Sequence, residues 1–245
     1  MNSYEQQYQA RQQARLFFDI ETLANPENCA LMPEPVIEAP SNYKDPEKIS
    51  QYIAEKTEAA KSSAIEKAAL DPDYGKILSI GYATSPDGPI KVLIAGEIYF
   101  AELDPNGSAR TEYVFTEQDL ITEFWKALAF CNGNAVGYNI LGFDIPYIMR
   151  RSMALGIKVP FIPNLAKFRT DPITDLMAII YNWGSQMYKG LKLVAKLYKI
   201  ANDCPDVDGS QVKDLSPRQL REYQISDVKL TQALYKKMNG IYFKH

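Results

Sequence analysis

The chain has 245 residues, with 27 Lys and Arg against 30 Asp and Glu, which gives a formal net charge of −3 near neutral pH. This length suits one large domain or two small ones. The weak negative charge supplies no global positive field, so any nucleic-acid contact must come from local basic patches or from bound metal ions. The single histidine, His245, is the last residue, which excludes a Ser-His-Asp triad, a Cys-His pair and histidine-ligated zinc.

The cysteines and the hydropathy exclude further classes of protein. Cys29, Cys131 and Cys204 are far apart and form no C-x-x-C pair, which argues against a zinc site and against a disulfide framework. No apolar run is long enough to cross a bilayer, and the polar, Gln-rich start of the chain does not resemble a signal peptide. We therefore expect a soluble, cytoplasmic protein without membrane contact.

The first predicted elements are a tail, a strand and a long insert. Residues 1–14 are expected to form a polar tail, and the apolar run 16–22 predicts the first strand. A proline-rich excursion follows, and then a charged, Ala-rich helix at 46–70 that starts at Asp45 as N-cap. The apolar stripe of this helix is thin, which indicates a surface arm rather than a core element. Residues 24–74 are therefore predicted to form an insert.

Strands come first and helices dominate later, which favours a mixed sheet with helices on its faces. Thr116 and Ser216 each start a helix as N-cap and are followed three residues later by a capping-box residue. Beyond the insert, strands are predicted at 76–84, 90–95, 111–115 and 135–138. The remaining segments are predicted as a helix capped by Thr116, helices at 144–155, 174–182, 191–200 and 216–238, and a loop at 203–209.

Asp19 and Glu21 stand two residues apart in the first predicted strand. Because successive side chains of a strand alternate between faces, these acids share one face while Phe18 and Ile20 share the other. Two like charges side by side in an apolar strand are unfavourable unless a positive group lies between them. A divalent cation is the natural candidate, and the alternative is an edge strand with both acids in solvent.

Two acids later in the chain, Asp227 and Asp144, also occupy positions that need an explanation. Tyr223 and Asp227 lie on one face of the last predicted helix, one turn apart, and no Lys or Arg occupies the neighbouring stripe positions. The alternative is that Asp227 lies at the edge of the stripe and reaches solvent. Asp144 opens a helix after a buried strand, where the helix N-terminus alone favours an acid, so capping is the simpler explanation for this residue by itself.

The spaced set of acids resembles the motifs of a known family. Asp19-Ile20-Glu21, Asn139-x-x-x-Phe143-Asp144 and Tyr223-x-x-x-Asp227, in this order, are similar to the three motifs of the DEDD 3′–5′ exonuclease superfamily, tyrosine subclass. The likeness is to the proofreading domains of family B DNA polymerases and to their stand-alone, phage-type relatives. It covers residues 15–238, within an expected exonuclease domain at 15–245.

This resemblance implies a fold and an activity. The fold is α/β and ribonuclease H-like, a five-stranded mixed sheet flanked by helices, with the helical insert after the first strand. The activity is a metal-dependent 3′–5′ exonuclease that releases nucleoside 5′-monophosphates from single-stranded DNA ends. It would work in the cytoplasm, or in the host cytoplasm in the case of a phage protein.

The resemblance also implies a set of metal ligands. Two divalent cations, Mg²⁺ or Mn²⁺, are expected; Asp19, Glu21 and Asp227 would hold the ion that carries the attacking water. Asp19 would also reach the second ion, which Asp144 would bind largely through water. Oxygen ligands suit such hard cations, and paired ions stabilise both the attacking and the leaving oxygen. Tyr223 would orient the water, since a phenol with a pKa of about 10 is a poor base at neutral pH.

Other residues are implied in binding the substrate. Thr22 and Leu23 are expected to pack on the terminal sugar and base, and Asn139 to hydrogen-bond near the last nucleotides. Phe143 is expected to stack on a base, with core packing as the alternative.

Further charged residues have a structural interpretation beside the functional one. Asp171 and Asp175 are expected to start helices rather than bind metal. Six basic residues either contact phosphates or form a solvated face: Arg150, Arg151, Lys189, Lys192, Lys196 and Lys199.

Two other functions remain open at this level. RNA is an alternative substrate, because the sequence does not show what approaches the 2′-OH. The other alternative is a non-catalytic module that binds nucleic acid or docks a DNA polymerase or another replication protein through the insert. The complete acid set argues against that module, since binding alone does not need four acids gathered together.

Overall fold

A five-stranded sheet forms the centre of the computed structural model, which describes residues 14–100, 112–201 and 209–242. The strand order in this sheet is β3-β2-β1-β6-β7, and β4 and β5 form a separate two-stranded sheet. The strands in these residues are β1 Leu16–Ala24, β2 Gly75–Ala83, β3 Lys91–Ile94, β4 Ile98–Phe100, β5 Glu112–Val114, β6 Ala135–Gly137 and β7 Ile173–Asp175.

The sheet is mixed, as predicted. β6 runs parallel to both of its neighbours, β1 and β7, whereas β3 is antiparallel to β2. Leu16 is paired with Ala135 and Phe17 with Val136, so the short β6 lies beside the start of the first strand. With helices on its faces, this sheet has the α/β, ribonuclease H-like fold that the resemblance to exonucleases implied.

Local signals set the ends of the longer helices. Thr116 with Asp119, and Ser216 with Gln219, form the predicted capping boxes at the start of α3 and α7. Each box satisfies backbone N–H groups that a helix start leaves without a partner. The helices are α1 Pro26–Cys29, α2 Pro46–Lys67, α3 Glu117–Phe130, α4 Asp144–Ala154, α5 Leu176–Ile180, α6 Leu191–Leu197 and α7 Pro217–Asn239.

The two faces of β1 are covered by different helices. Phe18 packs on one face against Phe124 of α3, with 4.9 Å between the ring centroids. Phe17 packs on the other face against Tyr235 of α7, with a centroid separation of 5.2 Å. Since side chains alternate along a strand, Asp19 and Glu21 lie on the α7 side of the sheet together with Phe17.

Two predicted elements differ from the structure. The predicted helix at 174–182 begins two residues later, because Thr174 and Asp175 belong to β7 and pair with β6. The predicted strand at 111–115 is present as β5 but pairs with β4, outside the five-stranded sheet. In both cases the long-range pairing of strands, which no local pattern reveals, decided the outcome.

The chain divides into two compact units, of which residues 22–76 form one and residues 1–21 and 77–245 the other. In the smaller unit, α2 starts at Asp45 and Pro46 as predicted and contains no buried residue. None of the helices in the described residues is long and apolar enough to cross a membrane. The predicted tail at 1–14, apart from the buried Ala14, lies outside the described residues, as do nearly all of the predicted loop at 203–209 and His245.

Candidate active site

Three carboxylates meet on the α7 side of the central strand. Asp19 and Glu21 of β1 and Asp227 of α7 each offer one oxygen, and these oxygens lie within 4.8 Å of one another. In the part of the chain that the structure describes, this is the one group of acids, histidines or cysteines close enough to share an ion. The fold thus joins residues more than two hundred positions apart.

Asp144 joins the same site through the backbone of β1. Its carboxylate is buried, and Oδ1 accepts a 3.2 Å hydrogen bond from the Ile20 N–H, between the two acids of the strand. This bond links the start of α4 to the centre of the sheet. Asp144 therefore does more than open its own helix, which was the simpler explanation of its position.

Asp175 shapes the loop that leads to Asp144. Its carboxylate accepts hydrogen bonds from the N–H groups of Asn139 at 3.0 Å, Leu141 at 2.9 Å and Ala178 at 3.1 Å. The last of these makes Asp175 the N-cap of α5, as predicted. The other two hold residues 139–141, in the loop before α4, against the end of β7.

Tyr223 and Asp227 contact each other along α7. The two side chains form a hydrogen bond, in which the phenol donates to the carboxylate. The other oxygen of Asp227, Oδ1, is buried and has no hydrogen-bond partner among the described residues. A buried carboxylate oxygen without a donor is costly, which indicates that a positive group belongs beside it.

Burial and mutual repulsion disfavour the ionised form of the clustered carboxylates. Burial, followed by the neighbouring negative charges, raises the pKa of Asp19 and of Glu21 well above the usual range. Burial also raises the pKa of Asp144, to about 7. The pKa of Asp227 is likewise raised by burial. The pKa of Tyr223 rises because of burial and the surrounding carboxylates, so its hydroxyl stays protonated at neutral pH.

Two contacts at the site were not assigned from the sequence. The Lys192 ammonium of α6 lies 4.6 Å from the centre of the Tyr223 ring, and its charge lowers the pKa of Glu21 and Asp227. Lys192 was only one of six candidate phosphate contacts. Gln224, which is fully buried, donates to Asp19 Oδ2 at 2.7 Å. Its sequence signal was weak: a polar residue within the apolar stripe of a helix.

Residues 97–242 match a family model described as "Predicted 3'-5' exonuclease related to the exonuclease domain of PolB", which covers more than half of the chain. The chain belongs to this family. The match confirms the predicted resemblance to DEDD-type exonucleases. It includes Asp144, Tyr223 and Asp227, whereas Asp19 and Glu21 precede it. No curated protein matches the chain.

The fold of this exonuclease family member is also similar to a solved structure, that of the family B DNA polymerase from the hyperthermophilic archaeon Pyrobaculum calidifontis. The TM-score is 0.54 at 20% sequence identity, and the match covers 92% of this chain and 24% of that polymerase. The chain thus corresponds to about a quarter of the polymerase, and the likeness concerns the fold.

The residues expected to contact substrate occupy different positions in this exonuclease family member. Thr22 and Leu23 follow Glu21 in β1 and are half-buried. Asn139 is half-buried, with a left-handed backbone (φ 69°), in the loop before α4. Phe143 is half-buried and packs against Tyr147 with 5.3 Å between ring centroids, so core packing accounts for part of its surface.

Among the six basic residues, Arg151 is excluded from phosphate contact. It is buried and forms a two-pronged ion pair with Glu117, with both nitrogen-to-oxygen distances at 2.8 Å. This pair fastens α4 to α3, a role that neither interpretation of the sequence included. Asp171, expected to start a helix, instead pairs at the surface with Arg15 at 3.1 Å.

The donor set fits a hard divalent cation. All ligands on offer are carboxylate oxygens, which hard cations prefer. The converging oxygens of Asp19, Glu21 and Asp227 mark where such a cation would bind. The buried Oδ1 of Asp227, which has no hydrogen-bond partner among the described residues, would gain a positive neighbour there.

Proposed function

We propose that this chain is a divalent-cation-dependent 3′–5′ exonuclease that removes nucleoside 5′-monophosphates from single-stranded DNA ends in the cytoplasm. The observation that carries the proposal is the convergence of the Asp19, Glu21 and Asp227 oxygens within 4.8 Å, with the Asp144 carboxylate bound to the strand between the first two. Membership of a family related to the exonuclease domain of PolB supports the polarity and the DNA substrate.

Each acid has a role in this proposal. Asp19, Glu21 and Asp227 would hold one cation, and Asp19 and Asp144 would hold a second. When bound, such cations activate a water molecule and neutralise charge on the scissile phosphate. The protein contributes the scaffold: these acids stand on a central strand and on two helices, and a buried hydrogen bond from Ile20 holds the carboxylate of Asp144.

Tyr223 acts by orientation rather than by taking a proton. Its raised pKa keeps the hydroxyl protonated at neutral pH, so it cannot be the general base. A neutral phenol can donate to Asp227 while its oxygen accepts from the attacking water. Lys192, beside the Tyr223 ring, supplies positive charge that favours ionised Glu21 and Asp227 and attracts the phosphate.

The end of the substrate strand is proposed to lie near four residues. Thr22 and Leu23 follow the acids of β1 directly and would contact the terminal sugar and base. Asn139 and the exposed part of Phe143 precede Asp144 and would contact the nucleotides behind it. A base stacked on Phe143 would contribute about 1 to 3 kcal/mol without sequence preference. A DNA polymerase or another replication protein is the proposed partner.

The deciding experiment is digestion of a 5′-labelled single-stranded DNA oligomer with Mg²⁺ or Mn²⁺. We expect a ladder that shortens from the 3′ end and that disappears with EDTA and in Asp227→Asn. Asp171→Asn, which changes an exposed surface acid, is the matched control and should digest normally. Digestion of an RNA oligomer of the same sequence tests whether the enzyme prefers deoxyribose or ribose, and faster digestion of RNA would overturn the DNA assignment. No cleavage by folded protein would favour the binding module instead.

A further inference from the structure

Gln224 connects the carboxylate cluster to the second strand of the sheet. Its Nε2 donates a 2.7 Å hydrogen bond to Asp19 Oδ2, and its Oε1 accepts a hydrogen bond from the hydroxyl of Ser79 in β2. Both Gln224 and Ser79 are fully buried. The proposed function gives Asp19 a role as a ligand, but it gives no role to the two residues behind it.

The direction of these hydrogen bonds follows from the chemistry of the groups. An ionised carboxylate only accepts, so the amide must turn its NH₂ group toward Asp19. The amide carbonyl then faces Ser79, whose hydroxyl must donate. A flipped amide would place its carbonyl against the Asp19 carboxylate, two acceptors in a buried place. The carboxylate therefore determines which way the amide faces, and the Ser79 hydroxyl holds the amide in that orientation by donating to its carbonyl.

Gly81 of β2 provides the space that this arrangement needs. A Cβ atom at position 81 would lie 2.4 Å from Gln224 Cγ and 3.2 Å from Val228 Cγ2, both closer than normal contact. Ser79 and Gly81 are two residues apart and share one face of the strand. One face of β2 thus supplies both the hydroxyl that orients the amide and the gap that admits the side chain.

We propose that Gln224 is a positioning residue, oriented by Ser79, that holds the Asp19 carboxylate in the rotation needed to share a divalent cation with Glu21 and Asp227. This inference rests on the proposed function, because it assigns the Asp19 carboxylate to a cation. Groups that orient ligands from behind typically change metal affinity or activity about 10- to 100-fold when they are removed. Gln224→Met, which keeps the length of the side chain and removes the amide, should have an effect of this size.

The same helix offers a matched control. Gln232 is also a buried glutamine of α7, but its Nε2 donates to the backbone oxygen of Ser85 at 2.9 Å. It lies eight residues beyond Gln224, about 12 Å along the helix axis. Gln232→Met therefore removes a buried amide of the same kind without touching the carboxylates.

The experiment is a titration of wild type, Gln224→Met and Gln232→Met with Mn²⁺ alone, followed by the spectroscopic signal of free Mn²⁺, with a thermal melt of each protein. We expect the Mn²⁺ Kd to rise about 10- to 100-fold in Gln224→Met and to stay unchanged in Gln232→Met. Digestion by Gln224→Met should recover toward the wild-type kcat as Mn²⁺ approaches saturation, which a general loss of packing would not produce.

A second route to the same contact keeps the inference testable if Gln224→Met does not fold. Gly81→Ala displaces the glutamine from β2, and Ser79→Ala releases the amide carbonyl; both should weaken Mn²⁺ binding. Unchanged affinity in these folded variants, or an equal loss in Gln232→Met, would overturn the inference while leaving the proposed function in place. Wild type that binds no Mn²⁺ at all would overturn the proposed function and this inference with it.

Discussion

The hydroxyl of Tyr223 is hydrogen-bonded to the carboxylate of Asp227, one turn further along the same helix. Asp227 shares its site with Asp19 and Glu21 of the central strand, and its own Oδ1 has no partner in the described part of the chain. The phenol thus contacts the one carboxylate of the triad that the helix supplies.

Tyr223→Phe should lower kcat about 10-fold while leaving the Mn²⁺ Kd close to that of wild type. The change keeps the ring and removes one hydrogen bond, worth about 1.5 to 3 kcal/mol when one partner is charged; the lower end of this range corresponds to about 10-fold in rate. Single-turnover digestion of labelled DNA, with parallel Mn²⁺ titration, measures both quantities. A loss as large as that of a ligand substitution would contradict the orienting role.

Asp19→Asn should reduce digestion by more than about 100-fold, because changes behind a ligand alone already cost about 10- to 100-fold. The fold should be retained, since asparagine has nearly the same shape and Oδ1 can still accept from Gln224. Digestion rate and thermal melting without added metal check the two statements. Substantial activity in a folded Asp19→Asn protein would exclude Asp19 as an essential ligand.

Asp144→Asn should change how stability depends on pH in the presence of EDTA. Burial raises the pKa of Asp144 from 3.8 to about 7, so between these values the folded chain keeps a proton that the unfolded chain has released. Because the folded chain binds this proton more tightly, protonation of Asp144 stabilises the fold. This contribution to the free energy of unfolding is fully present below about pH 4 and is lost as the pH rises through about 7. The variant lacks it at every pH.

The stability of Asp144→Asn relative to wild type should therefore increase from pH 4 to pH 8, by at most about 4 kcal/mol. Urea unfolding at several pH values measures the difference. Asp171→Asn, at an exposed acid, serves as the control and should follow wild type. A constant difference between Asp144→Asn and wild type across this range would show that Asp144 has an ordinary pKa.

Lys192→Met should shift the acid limb of the pH–rate profile to higher pH. Lys192 lowers the pKa of Glu21 and of Asp227. Its removal should raise both pKa values, so the two acids would ionise only at higher pH. Lys196→Met, at an exposed position of the same helix, is the matched control. Equal profiles for the two variants would show that Lys192 does not act on these acids.

The sequence by itself determined the parts of this protein that depend on local pattern. The alternation of the first strand put Asp19 and Glu21 on one face, and the helical period put Tyr223 one turn from Asp227. The capping residue Ser216 located the start of the last helix. These signals are short in range, since strand alternation and helix ends depend on a few neighbouring residues. The order of the motifs then pointed to the family.

Only the tertiary structure decided which residues support the acids. Gln224 reaches Asp19 from a helix 205 positions away in the chain, and Arg151, expected at the surface, is buried against Glu117. Thr174, predicted as helix, became strand because β6 lies beside it. Each outcome depends on a partner brought close by folding, and the energy of a buried hydrogen bond, ion pair or strand pairing exists only once that partner is present.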